Sequence, residues 1–233
     1  FIIFSLFPAL ILFFLAFGIR SAPADDFPGI YGFDSYWAAR MTKGMITGEA
    51  SFPMYDSITD YPYGRPDVVA IELGWWTTNA FAYNIAAAYY GVNGFDQELF
   101  GYVVSWMTAL TASLAIPAIY LFGRKAFNRW VGLPTALFLA GSGTHLFYSI
   151  FGHAENDGFG LSLFFISLFS FVLMIKERKP VYLLLSIFFY TWLAITWSTF
   201  KVIALLMPGT IVLYFIIILF IRKTEYFKET KEK

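Results

Sequence analysis

Six stretches of the chain are almost entirely apolar and contain no aspartate, glutamate, lysine or arginine. They cover residues 1–19, 99–122, 131–150, 159–175, 181–199 and 202–221. A helix needs about 20 apolar residues to cross a bilayer. The pattern therefore predicts an all-α polytopic membrane protein with about six transmembrane helices.

The segment 67–90 is less apolar and resembles a spanning helix only in its length. It carries Asp67, Glu72 and Asn79, and a carboxylate at the centre of a bilayer costs about 2.5–3.5 kcal/mol on insertion scales. We therefore interpret 67–90 as interfacial or re-entrant helices. The adjacent Trp75 and Trp76 favour a position at the lipid headgroups, where tryptophan is enriched.

Charged residues lie on opposite sides of the predicted spans according to their sign. Basic residues follow the second and fourth spans and begin the tail 222–233, so that eleven of the sixteen Lys and Arg residues fall on one side. Twelve of the sixteen Asp and Glu residues fall on the other side. Because cytoplasmic loops are enriched in Lys and Arg, the loops 20–98 and 151–158 are predicted to be extracytoplasmic.

The boundaries that follow are a transmembrane domain over 1–221 and a charged cytoplasmic loop or tail over 222–233. A multi-pass protein of the plasma membrane is predicted, with its functional face outside. Since Phe1 opens inside an apolar run, we expect the chain to be a piece of a longer protein.

The amino-acid composition excludes several kinds of chemistry and one class of partner. Of the 233 residues, 58% are hydrophobic and 14% are charged, the formal net charge is zero, and cysteine is absent. A chain without cysteine has no thiol nucleophile, no iron–sulfur ligand and no structural disulfide. The balanced charge gives no electrostatic footprint for nucleic acid. We expect membrane lipid, and not nucleic acid, as the chain's surroundings.

Two acidic motifs lie in the predicted external loops. Asp34 stands in GFDSYWAARM after the first span, and Glu155 and Asp157 stand in GHAENDGFG before the fourth. Three converging carboxylates suit a hard divalent cation, Mg²⁺ or Mn²⁺. Asp34 and Asp157 each precede a helical pattern, so the alternative is that they are N-cap residues. Glu155 is not a favoured cap residue, and its charge beside Asp157 needs another reason.

Three further polar residues are candidates for supporting roles. His153 flanks the acidic pair and is a candidate ligand or hydrogen-bond partner of a ligand. Lys201, between the last two spans, and Arg40, six residues after Asp34, are candidates for contact with a lipid phosphate. The alternatives are a structural histidine and basic side chains that reach the headgroups from span ends.

Together, the two acidic motifs resemble those of the oligosaccharyltransferase catalytic subunits. In that family an acidic residue followed by aromatic residues and an arginine opens the first external loop, and an acidic pair separated by one residue stands in the second. The stretch 60–64 (DYPYG) resembles the Tyr-Pro-x-Gly turn of the archaeal members. The resemblance covers most of 1–221, with the motifs in the family's order.

This resemblance implies a C-type glycosyltransferase fold with a long helical first external loop. It implies transfer of a glycan from a lipid-linked oligosaccharide to the asparagine amide of Asn-x-Ser/Thr in a polypeptide, with inversion at the sugar carbon. By position in the motifs, Asp34, Glu155 and Asp157 match the family's ligands for Mn²⁺ or Mg²⁺. Asp34 also matches the acid that lies near the acceptor amide.

The chain departs from the family in lacking its Trp-Trp-Asp-Tyr-Gly signature, which belongs to a soluble C-terminal domain. We expect that domain to be missing from this chain or supplied elsewhere. A protein O-mannosyltransferase is an alternative enzyme, although its acidic motif is an adjacent Asp-Glu and Ser35 follows Asp34 here. A transporter subunit with an external cation site is the alternative outside enzymes, with Glu72 as its only intramembrane candidate.

Overall fold

The computed structural model describes residues 2–26, 29–49, 56, 59, 62–64, 69–205, 209, 212–213 and 216. The helices among them are α1 (Ile2–Ser21), a 3₁₀ helix (Ala22–Asp25), α2 (Phe33–Thr47), α3 (Val69–Tyr90), α4 (Gln97–Ser113), α5 (Ala115–Ala126), α6 (Arg129–Ala140), α7 (Gly143–Phe147), α8 (Asp157–Glu177) and α9 (Pro180–Thr196). No extended strand occurs in these residues, and the all-α prediction is confirmed.

The chain divides into two compact units, 1–197 and 198–233. The first holds all nine α-helices named above and both acidic motifs. The described part of the second begins with a turn at Ser198 and Thr199 and continues as a helical segment over 200–205. Most of the predicted span 202–221 and all of the tail 222–233 lie outside the described residues.

Among the described residues, three helical segments are long and apolar enough to cross a membrane. They are Leu6–Asp25, Gln97–Ala126 and Asp157–Glu177, which correspond to the first, second and fourth predicted spans. The second reaches 30 residues because Leu114, between α4 and α5, keeps a right-handed helical conformation. Helix α9 is apolar but has only 17 residues.

The predicted span 131–150 is wrong as a single helix. Helix α6 ends at Ala140, and the short helix α7 begins at Gly143 after an extended Ser142. The two glycines that flank Ser142 lose the most conformational entropy in a helix, which weakens a continuous helix at this point. A helix of 12 residues such as α6 is about 18 Å long, which is short of the bilayer core.

Helix α3 is not among the candidate spans of the described residues, and its tryptophans are not at a lipid surface. Trp75 and Trp76 are fully buried. The Trp75 indole N–H donates to the Ala154 carbonyl at 3.2 Å, and the Trp76 ring packs edge-on against Trp37 with 5.4 Å between centroids. The headgroup position predicted for this pair is therefore wrong, because both indoles hold α3 against the motif-bearing segments.

Glycines allow the closest helix contacts. A Cβ on Gly132 of α6 would lie 2.7 Å from the Tyr120 carbonyl oxygen of α5, and a Cβ on Gly158 of α8 would lie 2.4 Å from the Ala112 Cβ of α4. In membrane proteins such small residues let helices approach closely, and packing then supplies much of the association energy. These contacts set the distance between α5 and α6 and the distance between α4 and α8.

Alanine at Gly132 tests this packing. We expect Gly132→Ala to lower the stability of the protein by about 1–3 kcal/mol, because the new methyl group meets backbone atoms that have no room to move. Gly101→Ala is the matched control, since no atom lies within 4 Å of a Cβ there. Thermal unfolding in detergent is the measurement, and equal melting temperatures for the two variants would contradict the packing argument.

Candidate active site

The segments that carry the two acidic motifs lie side by side. The Tyr31 backbone N–H, just before α2, donates to the Gly152 carbonyl at 2.9 Å. Gly152 has a positive φ of 90°, and a Cβ there would lie 2.8 Å from the Gly29 carbonyl oxygen. Glycine is the residue that tolerates both conditions. The start of α2 and the loop before α8 are thereby joined, although more than a hundred residues separate them.

The three predicted acids lie at or near the starts of two helices. Asp34 is exposed in the first turn of α2, and Asp157 is the first residue of α8. The N-cap residues are Gly32 and Asn156, so the N-cap interpretation of the two aspartates is wrong. Both carboxylates still gain from the positive end of a helix dipole.

Glu155 bridges the histidine and the aspartate of its motif. His153 Nε2 and Glu155 Oε1 lie 2.7 Å apart, and the Glu155 and Asp157 carboxyl groups are close enough for their charges to interact. The Trp197 indole N–H donates to Asp157 Oδ1 at 2.6 Å. Glu155 also faces α2, because a Cβ on Gly32 would lie 3.8 Å from its Oε1 atom.

Aromatic rings enclose His153. The rings of Tyr31, Phe147 and Tyr148 contact it edge-on at centroid distances between 5.0 and 5.3 Å. Burial, and then the charge of Glu155, raise the pKa of the Tyr31 hydroxyl. The imidazole is therefore held in one place and presents Nε2 to Glu155.

Glu72 is a fourth carboxylate near these residues. The sequence indicated it only as the intramembrane acid of a transporter. It has non-helical backbone angles inside α3 (φ −143°, ψ 18°), and its carboxyl lies close to the side chains of Asn156 and Trp76. Burial, and then the charge of Asp157, raise the pKa of its carboxyl to about 7, with a smaller contribution from Asp34. Its signal in the sequence is that it is the only acid in an otherwise apolar helix.

Other helices hold the acidic loop in place through hydrogen bonds to its backbone and to the side chain of Asn156. The Ala154 carbonyl accepts from Trp75 of α3, and the Asn156 amide donates to the Thr196 carbonyl at the end of α9 at 2.8 Å. The Phe151 N–H donates to the Arg20 carbonyl of α1 at 2.8 Å. Three helices thus set the position of the carboxylates.

Arg20 is fully buried and connects α1 to the segment that leads into this loop. Its Nε donates to Ser149 Oγ at 2.8 Å, and one terminal nitrogen donates to the Ala16 carbonyl at 3.0 Å. The other terminal nitrogen lies 2.6 Å from His145 Nδ1. Because a guanidinium has only donors, His145 accepts through Nδ1 and carries its proton on Nε2.

Arg40 and Lys201 are the two basic residues predicted to contact a lipid phosphate. Arg40 forms an ion pair with Asp56 and lines a cavity of about 910 Å³ between α2 and the start of α4. Lys201 is exposed in the second unit. Their roles as phosphate partners stay predictions. Of the predicted Tyr-Pro-x-Gly turn, 62–64 are described and Gly64 has a φ of 69°, while Asp60 and Tyr61 lie outside the described residues.

The carboxylates do not form a closed metal site. Among the described residues, no group of three or more histidine, aspartate or glutamate side chains is close enough to hold an ion as it stands. The group has the hard oxygen donors that Mg²⁺ and Mn²⁺ prefer, and two of its members contact each other. The described carboxylates are the ligand type of a cation site, but their side chains do not converge on one point.

Comparison with known proteins identifies a family that the chain matches and a curated relative. The sequence profile of the dolichyl-phosphate-mannose–protein mannosyltransferase family matches residues 85–229. The chain is 30% identical over 139 residues to dolichyl-phosphooligosaccharide–protein glycotransferase 1 of Pyrococcus horikoshii, a match that covers 56% of this chain and 13% of the relative.

Solved structures share the fold. The oligosaccharyltransferase of Archaeoglobus fulgidus in complex with zinc and sulfate superposes with a TM-score of 0.73 at 20% identity, over 86% of this chain and 26% of that one. The same organism's AglB, in complex with an inhibitory peptide and a dolichol-phosphate, gives 0.66 at 17% identity, over 88% and 25%.

The fold and the comparisons together place the chain in the class of membrane glycosyltransferases. The chain belongs to the dolichyl-phosphate-mannose–protein mannosyltransferase family, whose profile covers more than half of it. The resemblance to oligosaccharyltransferase catalytic subunits is confirmed by the curated relative and by the fold. The chain spans about a quarter of the length of these solved structures and 13% of the curated relative.

Removal of the Arg20 side chain tests how the acidic loop is held. We expect Arg20→Ala to lower stability by about 2–4 kcal/mol, because Ser149 and His145 lose a charged, buried hydrogen-bond donor. Amide hydrogen exchange should also become faster over 149–156. Arg178→Ala, at the exposed end of α8, is the control. Loop protection that is equal in both variants would show that Arg20 does not position the loop.

Proposed function

We propose that this chain is the membrane part of an oligosaccharyltransferase. It would bind a glycan on a lipid (poly)phosphate at the extracytoplasmic face of the plasma membrane and take part in its transfer to the asparagine amide of Asn-x-Ser/Thr. Inversion at the sugar carbon is expected for a single displacement. The recognition of the acceptor hydroxyl would be supplied by a part of the protein beyond these residues.

The observation that carries the proposal is the hydrogen bond between Tyr31 and Gly152, at 2.9 Å. It places the helix start that bears Asp34 beside the loop that bears Glu155 and Asp157. These are the acids that the resemblance assigns to donor activation. A chain that only needed helix caps would have no reason to bring both motifs together.

The carboxylate oxygens of the acidic motifs are suitable ligands for a divalent cation. The charges of Glu155 and Asp157 interact, and two neighbouring carboxylates repel each other when both are ionised. Glu72 lies close enough to add its charge to that of Asp157. A bound Mn²⁺ or Mg²⁺ would be held by Asp34, Glu155 and Asp157 and would stabilise the charge that develops on the departing lipid phosphate.

The protein side chains have separate roles in this proposal. Asp34, exposed at the start of α2, is free to turn toward an acceptor and to accept a hydrogen bond from its amide nitrogen. His153 orients Glu155 through their 2.7 Å contact, and Trp197 orients Asp157. Outer partners of this kind commonly set the orientation and basicity of a ligand.

The comparisons support the two substrates. The solved AglB structure contains a dolichol-phosphate and an inhibitory peptide, and the curated relative is named for dolichyl-phosphooligosaccharide. By extension, we infer a lipid-linked oligosaccharide donor and a polypeptide acceptor for this chain.

Transfer of mannose to a serine or threonine hydroxyl is the second candidate. It is favoured by the matched family, which is named for dolichyl-phosphate-mannose as donor. A single assay separates the two, with the complete protein offered an Asn-x-Thr peptide and a serine-rich peptide without asparagine. Glycan on the second peptide alone would replace the first proposal by this one.

Neutral replacement of the acids tests the site. In the complete protein, Asp34→Asn and Asp157→Asn should each slow transfer to an Asn-x-Thr peptide by at least about a hundredfold, as does the loss of a group that stabilises charge in a transition state. Glu98→Gln is the control, because Glu98 is an exposed acid near the start of α4. Normal transfer in both aspartate variants would reject the site.

Chelation tests the cation and assigns Glu72. Prolonged treatment with EDTA should abolish transfer, and added Mn²⁺ or Mg²⁺ should restore it. Glu72→Gln should raise the metal concentration for half-maximal rate by about tenfold while the rate at saturating metal stays near normal, as expected for a group outside the ligands. An unchanged metal dependence would remove Glu72 from the site, and full activity in EDTA would remove the cation.

A further inference from the structure

Helix α8 connects two chemically opposite ends of the first unit. Asp157 is its first residue and Glu177 its last, and the 21 residues make a helix about 30 Å long. Lys125, in the last turn of α5, forms an ion pair with Glu177, and Lys176 donates to the Ala126 carbonyl at 3.2 Å. The end of α5 therefore lies about one bilayer thickness from the acidic loop.

A cavity of about 490 Å³ opens at this basic end. Its lining comes from α1, α5 and α6 and consists of Pro8, Tyr120, Arg124, Arg129, Trp130 and Leu133. Two of the six residues are arginines and none is acidic. The remaining walls are aromatic or apolar.

Contacts within the cavity hold the two arginines at its wall. One terminal nitrogen of Arg124 donates to the Tyr120 hydroxyl at 2.8 Å, and the Arg129 guanidinium lies 4.8 Å from the Trp130 ring centroid. The close approach of α5 and α6 at Gly132 brings the two arginines to one place. The side chain of Asn128 caps α6 through the Trp130 and Val131 N–H groups and fixes the turn between them.

We propose that this cavity binds the phosphate headgroup of an anionic membrane lipid. A guanidinium donates to phosphate oxygens in a fork, and basic pockets between membrane helices on the cytoplasmic side are suited to such headgroups. Trp130 is 73% exposed and Leu133 41% exposed, which provides the interfacial ring and the apolar wall that a lipid needs and a soluble anion does not. Acyl chains would lie along Pro8 and Leu133.

This lipid is distinct from the proposed glycan donor. The donor phosphate would be bound at the acidic loop, while Arg124 lies at the other end of α8, where Lys125 meets Glu177. The inference does not depend on the proposed enzymatic function, because lipid binding is measured without any glycan or acceptor.

Lipid retention by the full protein tests the proposal. Purified protein is placed in nanodiscs of phosphatidylcholine that contain phosphatidylglycerol, and bound lipid is measured by native mass spectrometry after release. The wild-type protein should retain phosphatidylglycerol in preference to phosphatidylcholine. Arg124→Gln with Arg129→Gln should weaken that retention by about 30-fold, since each basic residue near an anionic surface contributes a factor of roughly five.

The control variant is Arg178→Gln with Lys179→Gln, which removes the same charge from the same end of the molecule outside the cavity lining. It should retain the lipid. Leu133→Trp keeps both arginines but fills the apolar wall, and it should also lose the lipid, so that a folding defect of the arginine variant does not decide the result. Equal loss in cavity and control variants, no headgroup preference, or displacement of the lipid by inorganic phosphate alone would each overturn the proposal.

Discussion

The buried guanidinium of Arg20 is the interaction on which the acidic end of the bundle depends. No carboxylate is among the partners that the structure gives it, which are Ser149, His145 and the Ala16 carbonyl. A charge in a low-dielectric interior is tolerated when its donors are satisfied. Ser149 and His145 lie in the segment that replaces a continuous third span, so the break after Ala140 gives the arginine two of its three partners. Helix α1 and the acidic loop are therefore positioned together.

The same arrangement explains why a chain of zero net charge has two strongly charged ends. Acids collect where α8 begins and basic residues collect where it ends, about 30 Å away for a helix of 21 residues. Ions so far apart interact weakly across water, and each end is stabilised by its own neighbours. At the acidic end the Trp197 indole donates to Asp157 and His153 lies beside Glu155, and the basic end is satisfied by Glu177, main-chain carbonyls and a tyrosine hydroxyl.

Sequence patterns predicted the helical class, three of the spans and both acidic motifs, because length, apolarity and local spacing are visible along one chain. They did not predict the break at Gly141–Gly143, because glycines alone only weaken a helix, and the hydrogen bonds of Arg20 with His145 and Ser149 after the break join residues more than a hundred positions apart. The fate of Trp75 and Trp76 was equally non-local: both indoles reach partners on other segments. Glu72 was misjudged because burial raises the pKa of its carboxyl to about 7 and polar side chains of Asn156 and Trp76 lie close to it, neither of which hydropathy counts.

Loops in a membrane domain carry backbone groups that lipid does not satisfy. In this chain the Phe151 N–H donates to the Arg20 carbonyl, the Ala154 carbonyl accepts from Trp75, and the Asn156 side chain donates to the Thr196 carbonyl; these partners belong to three different helices. The hydrogen bonds that hold the loop therefore also determine where its carboxylates lie. A displacement of α9 would move Asn156 through Thr196 and Asp157 through Trp197, so the packing between α8 and α9 at Gly160 bears directly on the geometry of the acids.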